Sequence, residues 1–290
     1  MNDYVIITDS SCDLPAELAQ ALNITVLPLT FRLKNTDYKN LLDGSNMSFE
    51  EFYLHIRDGI PCTTNAVNVE DFKAAVEPVL RSGKDVLCIC FSSGLSATWN
   101  AAKLACEDLA TQYPQRTLRV VDTLAASLGE GLLVYYAAQK QKAGESLQEV
   151  TDWLEQNKLH LCHWFTVDDL QHLKRGGRIS SATALFGTML GIKPVMHMDN
   201  EGHLINVSKA RGRRSALDAL VDHMEQTAID PKNQIVFISH ADSRQDAEYV
   251  ARQVKKRLNV KEVLINFVGP VIGAHAGPGT IALFFLGKER

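Results

Sequence analysis

Four strand-like runs in the first half of the chain are apolar throughout, without the alternation that marks a half-buried strand. They lie at residues 5–8, 25–31, 85–91 and 117–122. Strands of this kind are covered on both faces, which is typical of a parallel sheet. Amphipathic stretches between the runs predict helices at 14–22, 49–57, 69–81, 96–109 and 125–142. The first half is therefore predicted to be a parallel sheet with helices on both faces.

The pattern changes near residue 158. Residues 159–170 are predicted to form a strand that enters a turn, and 178–191 a short helix that ends at a glycine. Residues 192–210 contain two strand patterns joined through a hairpin signal at 199–202. The remaining predicted elements are a helix at 213–228, a strand at 234–239, a helix at 243–257 and a strand at 260–267. This half is predicted to be α+β with a mixed sheet, and a cleft between the halves is a favoured place for a ligand.

Composition excludes several classes of protein. The net charge of −4 argues against a nucleic-acid or anionic-membrane binder, which needs a broad basic face. No apolar run approaches the ~20 residues that span a bilayer, and the N-terminus lacks a signal-peptide pattern, so neither membrane insertion nor export is expected. The six cysteines form no C-x-x-C pair, which indicates reduced thiols in a cytoplasmic protein. The nine histidines are scattered and predict no metal site.

Small hydroxyl residues and a glycine follow the predicted strands of the first half. Because ligands of parallel sheets bind at the carboxyl ends of the strands, these residues are candidates for an oxyanion receptor without a strong positive charge. The alternative is that each hydroxyl only caps a helix. The candidate residues are Thr63, Thr64, Ser92, Ser93 and Gly94.

A histidine among glycines stands near the end of the chain, in the segment VIGAHAGPGTIALFFLG at 271–287. Glycines let backbone approach a ligand closely, and a histidine with a pKa near neutral can donate a hydrogen bond without imposing a fixed charge. We expect His275 to help hold a carboxylate, and the apolar run behind it suggests a hydrocarbon tail. The alternative is a structural hydrogen bond that fixes the loop.

Six segments in order resemble the DegV family of fatty-acid-binding proteins, some of which are subunits of bacterial fatty acid kinase. The segments are TDSSCDLP, FSSGLSATWNAA, DTLAASLGEGLLV, LKRGGRISSATALFGTMLGIKPV, KARGRRSAL and VGPVIGAHAGPGTIALFF. The resemblance implies a three-layer α/β/α domain at 1–158, a two-layer α/β domain at 159–290 and an acyl chain between them. It also implies that the carboxylate meets Thr63, Ser92 or Ser93, and His275.

The resemblance assigns roles to two arginines. Arg211 matches the family's arginine near the head group, and Arg178 matches an exposed contact for the kinase partner. We further expect the acyl chain to contact apolar side chains of the second strand run and of the segment 184–192, which could open as a lid. These side chains are Val26, Leu27, Phe31, Met189 and Leu190.

These observations predict a carrier that binds one long-chain fatty acid and presents its carboxylate to a partner kinase, which forms an acyl-phosphate. The sequence lacks the nucleotide-binding glycine motifs, so no cofactor is expected and ATP has to arrive with a separate subunit. The alternative is a serine hydrolase that uses Ser93 and His275 with Asp9 or Asp122. The segment around Ser93 lacks the G-x-S-x-G pattern of such enzymes.

Overall fold

The computed structural model describes residues 3–180 and 191–290. The strands are β1 (Tyr4–Asp9), β2 (Thr25–Leu27), β3 (Thr30–Leu33), β4 (Thr36–Lys39), β5 (Cys62–Asn65), β6 (Asp85–Cys90), β7 (Leu118–Asp122), β8 (Leu161–Thr166), β9 (Ile192–Met198), β10 (Leu204–Arg211), β11 (Ile235–His240), β12 (Glu262–Phe267) and β13 (Ile281–Leu286). The helices are α1 (Ala16–Ala21), α2 (Phe49–Arg57), α3 (Val69–Arg81), α4 (Thr98–Gln112), α5 (Leu128–Lys142), α6 (Leu147–Asn157), α7 (Gln171–Arg175), α8 (Arg213–Thr227), α9 (Arg244–Leu258) and α10 (Pro270–Ala276).

The first sheet is parallel, with the strand order β2–β1–β6–β7. Successive side chains of β6 enter different cores, because side chains alternate across a strand. Val86 and Cys88 pack with α3 and α4, whereas Leu87 and Ile89 pack with α5 and α6. Helices therefore cover both faces, which confirms the α/β prediction for the first half and explains why its strands are apolar throughout.

The run at 25–31 is not one strand, as predicted, but two. Proline lacks the N–H that a sheet ladder requires, and Pro28 ends β2. The next N–H, of Leu29, donates to Ser10 Oγ at 3.0 Å. The chain then turns away and forms a small antiparallel sheet of order β4–β3–β5, which the sequence did not predict. This third sheet matters because β5 carries Thr63 and Thr64.

The second large sheet is mixed, with the order β10–β9–β8–β13–β11–β12. The predicted hairpin at 199–202 is present, and Asp199 N donates to His203 O at 2.9 Å across it. Helices α8 and α9 pack on one face of this sheet. The two large sheets thus confirm the predicted two-domain α/β architecture, while the boundary at residue 158 stays a prediction.

Helix α5 lies between the two large sheets and contacts both. Its first seven residues are all buried, so it lacks the polar face of a surface helix. Two glycines let it approach its neighbours. A Cβ on Gly129 would lie 2.9 Å from the Phe284 ring, and one on Gly131 would lie 2.5 Å from Cys12 O. The domains therefore share one continuous core, interrupted by the cavity described below.

Within the described ranges, no helix has the length and apolar character needed to cross a bilayer. The same residues contain no group of three or more potential ligands placed to hold a metal ion. All six cysteines are free thiols, and five of them are buried.

Candidate functional site

A cavity of about 950 Å³, counted with the part open to solvent, lies between the two large sheets. The wall is mainly aliphatic and aromatic, with polar groups at separate points. The apolar lining residues are Leu29, Ala66, Phe91, Leu95, Ala97, Ala126, Phe165, Leu173, Leu204, Val268, Val271, Ile272, Ala276 and Ala282. The polar ones are Thr64, Asn65, Ser96, Ser127, His163, Arg178, Ser239, His275 and Thr280.

Helix α10 forms one wall of the cavity along its length and carries His275 near its C-terminal end. The first domain fixes the approach to this helix. Tyr53 Oη donates to Val268 O at 2.7 Å, and Gly269 N donates to Asp13 Oδ1 at 3.0 Å. A Cβ on Gly273 would lie 2.4 Å from Tyr53 Oη, so the glycine permits this packing. His275 is therefore positioned by contacts across the domain interface.

The imidazole of His275 lies between Thr64 and Gly176. Its Nε2 is 2.8 Å from Thr64 Oγ1. Its Nδ1 is buried and has no hydrogen-bond partner among the described residues. A Cβ on Gly176 would lie 2.1 Å from Nδ1, so the backbone of Gly176 packs directly against the ring. Burial, with a smaller contribution from the Arg178 charge, lowers the pKa of His275 to about 4. The ring is neutral at pH 7, and the expectation of a pKa near neutral was wrong because it ignored desolvation.

Arg178 lines the same end of the cavity and is half-buried, whereas the family resemblance implied an exposed contact. Its Nε donates to Leu95 O at 3.2 Å, and its Nη1 donates to Gly176 O. Burial lowers the pKa of this guanidinium. A positive charge is therefore held beside His275, in a site that the sequence predicted to lack a strong positive charge.

The Ser-Ser-Gly loop contributes to the domain interface. Ser92 is fully buried, and its Oγ donates to Gly202 O at 2.8 Å in the β9–β10 turn. A Cβ on Gly94 would lie 2.6 Å from the same carbonyl oxygen, so only glycine fits there. Ser93 is exposed, and its N–H donates to Asp122 Oδ1 at 3.2 Å. None of these three predicted residues is among the residues that line the cavity, whereas Ser96 of the same loop is.

Two further head-group candidates lie outside the cavity. Thr63 precedes Thr64 on β5 and is exposed, because adjacent side chains of a strand point to opposite faces. It lines a neighbouring outer pocket, to which Thr64, Arg178 and His275 also contribute. Arg211, at the end of β10, is exposed and lines neither pocket.

The predicted acyl-chain contacts are also placed elsewhere. Leu27 and Phe31 are buried in the core of the first domain, where Phe31 stacks on Tyr38. Val26 lines a separate depression beside α1. The break at Pro28 explains the difference, because it makes Leu29 the cavity-lining residue of this segment. Met189, Leu190 and nearly all of the predicted lid lie outside the described residues.

A second polar group, absent from the sequence prediction, lies at the other end of α10. Ser127 Oγ contacts both Asp13 Oδ2 and Ser239 Oγ, the latter at 3.0 Å. Both serines line the cavity. Ser127 follows β7, and ligands of parallel sheets bind at the carboxyl ends of the strands, so a hydroxyl residue at this position was already a candidate. Ser239 lies near the carboxyl end of β11, and the same rule, applied to the second sheet, would have found it.

The geometry gives no support to the hydrolase alternative. Asp9 is fully buried and accepts hydrogen bonds from Phe91 N at 3.0 Å and from Ser11. Asp122 accepts from backbone N–H groups. His275 contacts Thr64, and no contact joins it to Ser93 among the described residues.

The fold and the cavity define a class of two-domain α/β proteins with a mainly apolar chamber at the domain interface. A family model described as "Uncharacterised protein, DegV family" matches residues 3–288. A DegV domain-containing protein of Clostridium perfringens is 45% identical over 290 residues, which is 100% of this chain and 99% of that protein. The chain belongs to the DegV family, as the sequence predicted.

Two solved structures are similar over nearly the whole chain. A fatty-acid-binding DegV family protein of Thermus thermophilus superposes with a TM-score of 0.89 and is 32% identical, with 99% of this chain and 100% of that chain covered. DegV, a fatty acid binding protein of Bacillus subtilis, gives 0.86 and 26% identity over 99% and 100% of the two chains. Both names describe binding rather than catalysis.

Proposed function

We propose that this protein binds one long-chain fatty acid in the interdomain cavity, with the carboxylate beside Thr64, His275 and Arg178. The observation that carries the proposal is a mainly apolar chamber with a polar end. Among the described residues, the one guanidinium that lines this chamber lies beside a neutral imidazole and a hydroxyl. Fatty acid binding by the relatives from T. thermophilus and B. subtilis supports it.

The apolar wall accounts for the affinity. Each buried methylene contributes about 0.8 kcal/mol, so roughly 14 methylenes supply on the order of 11 kcal/mol before ordering costs. Hydrogen bonds at the carboxylate add about 1.5–3 kcal/mol each when one partner is charged. The tail therefore supplies most of the binding free energy, and the polar end fixes the direction of the chain.

The head-group chemistry follows from the neutral state of His275. With its proton on Nε2, the ring donates to Thr64 Oγ1, which leaves the threonine hydroxyl hydrogen free for the carboxylate. Arg178 supplies the positive charge that balances the ligand. A carboxylate in this position favours protonation of His275 as well, because a nearby opposite charge raises the pKa of a histidine.

Lipid extracted from the purified protein is expected to contain free fatty acid at close to one molecule per chain, measured by mass spectrometry. Delipidated protein is expected to take up palmitate. Thr64→Val keeps the shape of the side chain but removes the hydroxyl, and should weaken palmitate binding about 5- to 20-fold. The matched control is Thr63→Val, an exposed neighbour that should leave the dissociation constant unchanged. Absence of both bound fatty acid and palmitate uptake would refute the proposal.

We further propose that the bound carboxylate is presented to the ATP-binding subunit of a fatty acid kinase, which forms an acyl-phosphate. Support comes from the outer pocket, which shares Thr64, Arg178 and His275 with the cavity. His172 and Arg175 add polar and positive groups there. A partner that enters this pocket reaches the carboxylate end of the ligand without displacing the tail.

Variants at two arginines separate docking of the kinase subunit from binding of the lipid. Arg175 is exposed and lines only the outer pocket, so Arg175→Ala should spare palmitate binding but reduce acyl-phosphate formation by a fatty acid kinase subunit supplied with ATP and Mg²⁺. Arg178→Ala should reduce both, because Arg178 lines both pockets. Unchanged turnover with Arg175→Ala would contradict docking at this pocket, and no turnover by the unaltered protein would contradict the kinase role.

A further inference from the structure

The deep polar group consists of Asp13, Ser127 and Ser239, all of which are buried. Asp13 Oδ1 accepts from Gly269 N, and Asp13 Oδ2 contacts Ser127 Oγ. Ser127 Oγ is also 3.0 Å from Ser239 Oγ. Ser127 has φ 53° and ψ −146°, a backbone conformation that is unfavourable for a non-glycine residue. The surrounding structure therefore holds this hydroxyl firmly in place.

The hydrogen atoms in this group can be assigned by counting donors. Ser127 has one hydroxyl hydrogen for two neighbours. Burial raises the pKa of Asp13 to about 8, so at pH 7 the carboxyl O–H donates to Ser127. Ser127 then donates to Ser239. The hydroxyl hydrogen of Ser239 has no other acceptor among the described residues, and Ser239 lines the cavity.

The distance between the two polar ends follows from the helix. Gly269, bonded to Asp13, precedes α10, and His275 lies six residues further on. At 1.5 Å per residue, Gly269 and His275 are separated by about 9 Å along the helix axis. An extended hydrocarbon chain advances about 1.25 Å per bond, given C–C bonds near 1.52 Å. A carboxylate at His275 therefore brings roughly the eighth to eleventh carbon of the chain to Ser239.

We propose that Ser239, oriented by Ser127 and Asp13, forms a second polar subsite that recognises a hydroxyl group in the middle of the acyl chain. This proposal rests on the proposed fatty acid function and names a ligand class within it, the mid-chain hydroxylated long-chain fatty acids. An unpaired hydroxyl of the ligand buried against a purely apolar wall is unfavourable. At Ser239 it accepts a hydrogen bond, and the cost of burial is offset.

Competition binding with delipidated protein tests the subsite, with octadecanoic acid and its 10-hydroxy and 5-hydroxy derivatives as probes. The 10-hydroxy acid is expected to bind at least about tenfold more tightly than the 5-hydroxy acid, whose oxygen lies about five bonds away from the carbon placed at Ser239. Ser239→Ala should weaken binding of the 10-hydroxy acid about tenfold and leave octadecanoic acid unchanged. Ser96→Ala is the matched control, because it removes a cavity-lining hydroxyl outside this group and should preserve the preference.

The outcomes separate the two proposals. If octadecanoic acid does not bind the unaltered protein, the fatty acid function itself fails. If octadecanoic acid binds but the two hydroxy acids have equal affinities, the subsite is refuted, and this comparison needs no variant to fold. Equal loss of affinity for all three ligands in Ser239→Ala would also refute it, because a structural role would produce that result.

Discussion

Replacing Gly176 with alanine is expected to weaken palmitate binding about 10- to 100-fold while the protein remains folded. The new Cβ would lie 2.1 Å from His275 Nδ1, so the imidazole has to move. That movement disturbs the hydrogen bond through which His275 orients the Thr64 hydroxyl towards the carboxylate, and a hydrogen bond to a charged group is worth about 1.5–3 kcal/mol. The backbone of Gly176 has φ −73°, which alanine adopts without strain. Titration of delipidated protein with palmitate measures the effect, and thermal unfolding checks the fold.

The neighbouring glycine provides the control. Gly177 has φ 70°, and no heavy atom lies within 4 Å of the point that a Cβ would occupy. Gly177→Asn therefore introduces a side chain that has space and tolerates this conformation. This variant should bind palmitate like the unaltered protein. Comparable affinities for Gly176→Ala and the unaltered protein would show that the position of His275 does not affect binding of the ligand carboxylate.

The free energy of unfolding of Asp13→Asn, relative to that of the unaltered protein, is expected to increase by on the order of 3 kcal/mol between pH 5 and pH 8. Burial raises the pKa of Asp13 to about 8, above its ordinary value. The native state therefore keeps a proton that the unfolded state releases. The stability from this group is fully present below the unfolded pKa near 4 and is lost as the pH rises towards 8. Asparagine keeps an acceptor for Gly269 and a donor for Ser127 but does not titrate.

Urea unfolding at the two pH values measures this effect as the stability of Asp13→Asn minus that of the unaltered protein. The difference should increase with pH. Asp9 and Glu130, whose pKa values are also raised by burial, are present in both proteins and cancel. Asp37→Asn is the control, because hydrogen bonds from Arg32 lower the pKa of that exposed carboxyl and place its titration below the window. A constant difference for Asp13→Asn would contradict the assignment of a protonated carboxyl.

The helix starts show how much of the fold is local. Ser48 and Asn68 accept hydrogen bonds from the backbone N–H groups of Glu51 and Asp71, and the helices that follow them begin and end at the predicted residues. Helix caps and hydrophobic periodicity depend only on neighbours in the sequence, so they can be recognised without knowledge of the fold. Strands β4 and β5 were missed, because they are short, have little apolar content and belong to a sheet that gains stability from packing on α10.

The site was less predictable for a related reason. His275 and Thr64 were both candidates, but their contact joins residues 211 positions apart. The choice between Thr63 and Thr64 depends on which face of β5 meets the cavity, and no strand was predicted there. Ser92 and Gly94 belong to a recognisable motif, yet the motif serves the domain interface through Gly202.

The sequence by itself determined the α/β architecture and the family, because apolar strands, helix caps and ordered motifs are local properties that leave few ways to bury the chain. Only the tertiary structure decided which side chains face the cavity. Arg178, Ser127 and Ser239 come from separate elements, and their burial and charge environment exist only once the two sheets close around α5. Desolvation and hydrogen bonding between distant residues, which set the chemistry of this site, have no counterpart in an unfolded chain.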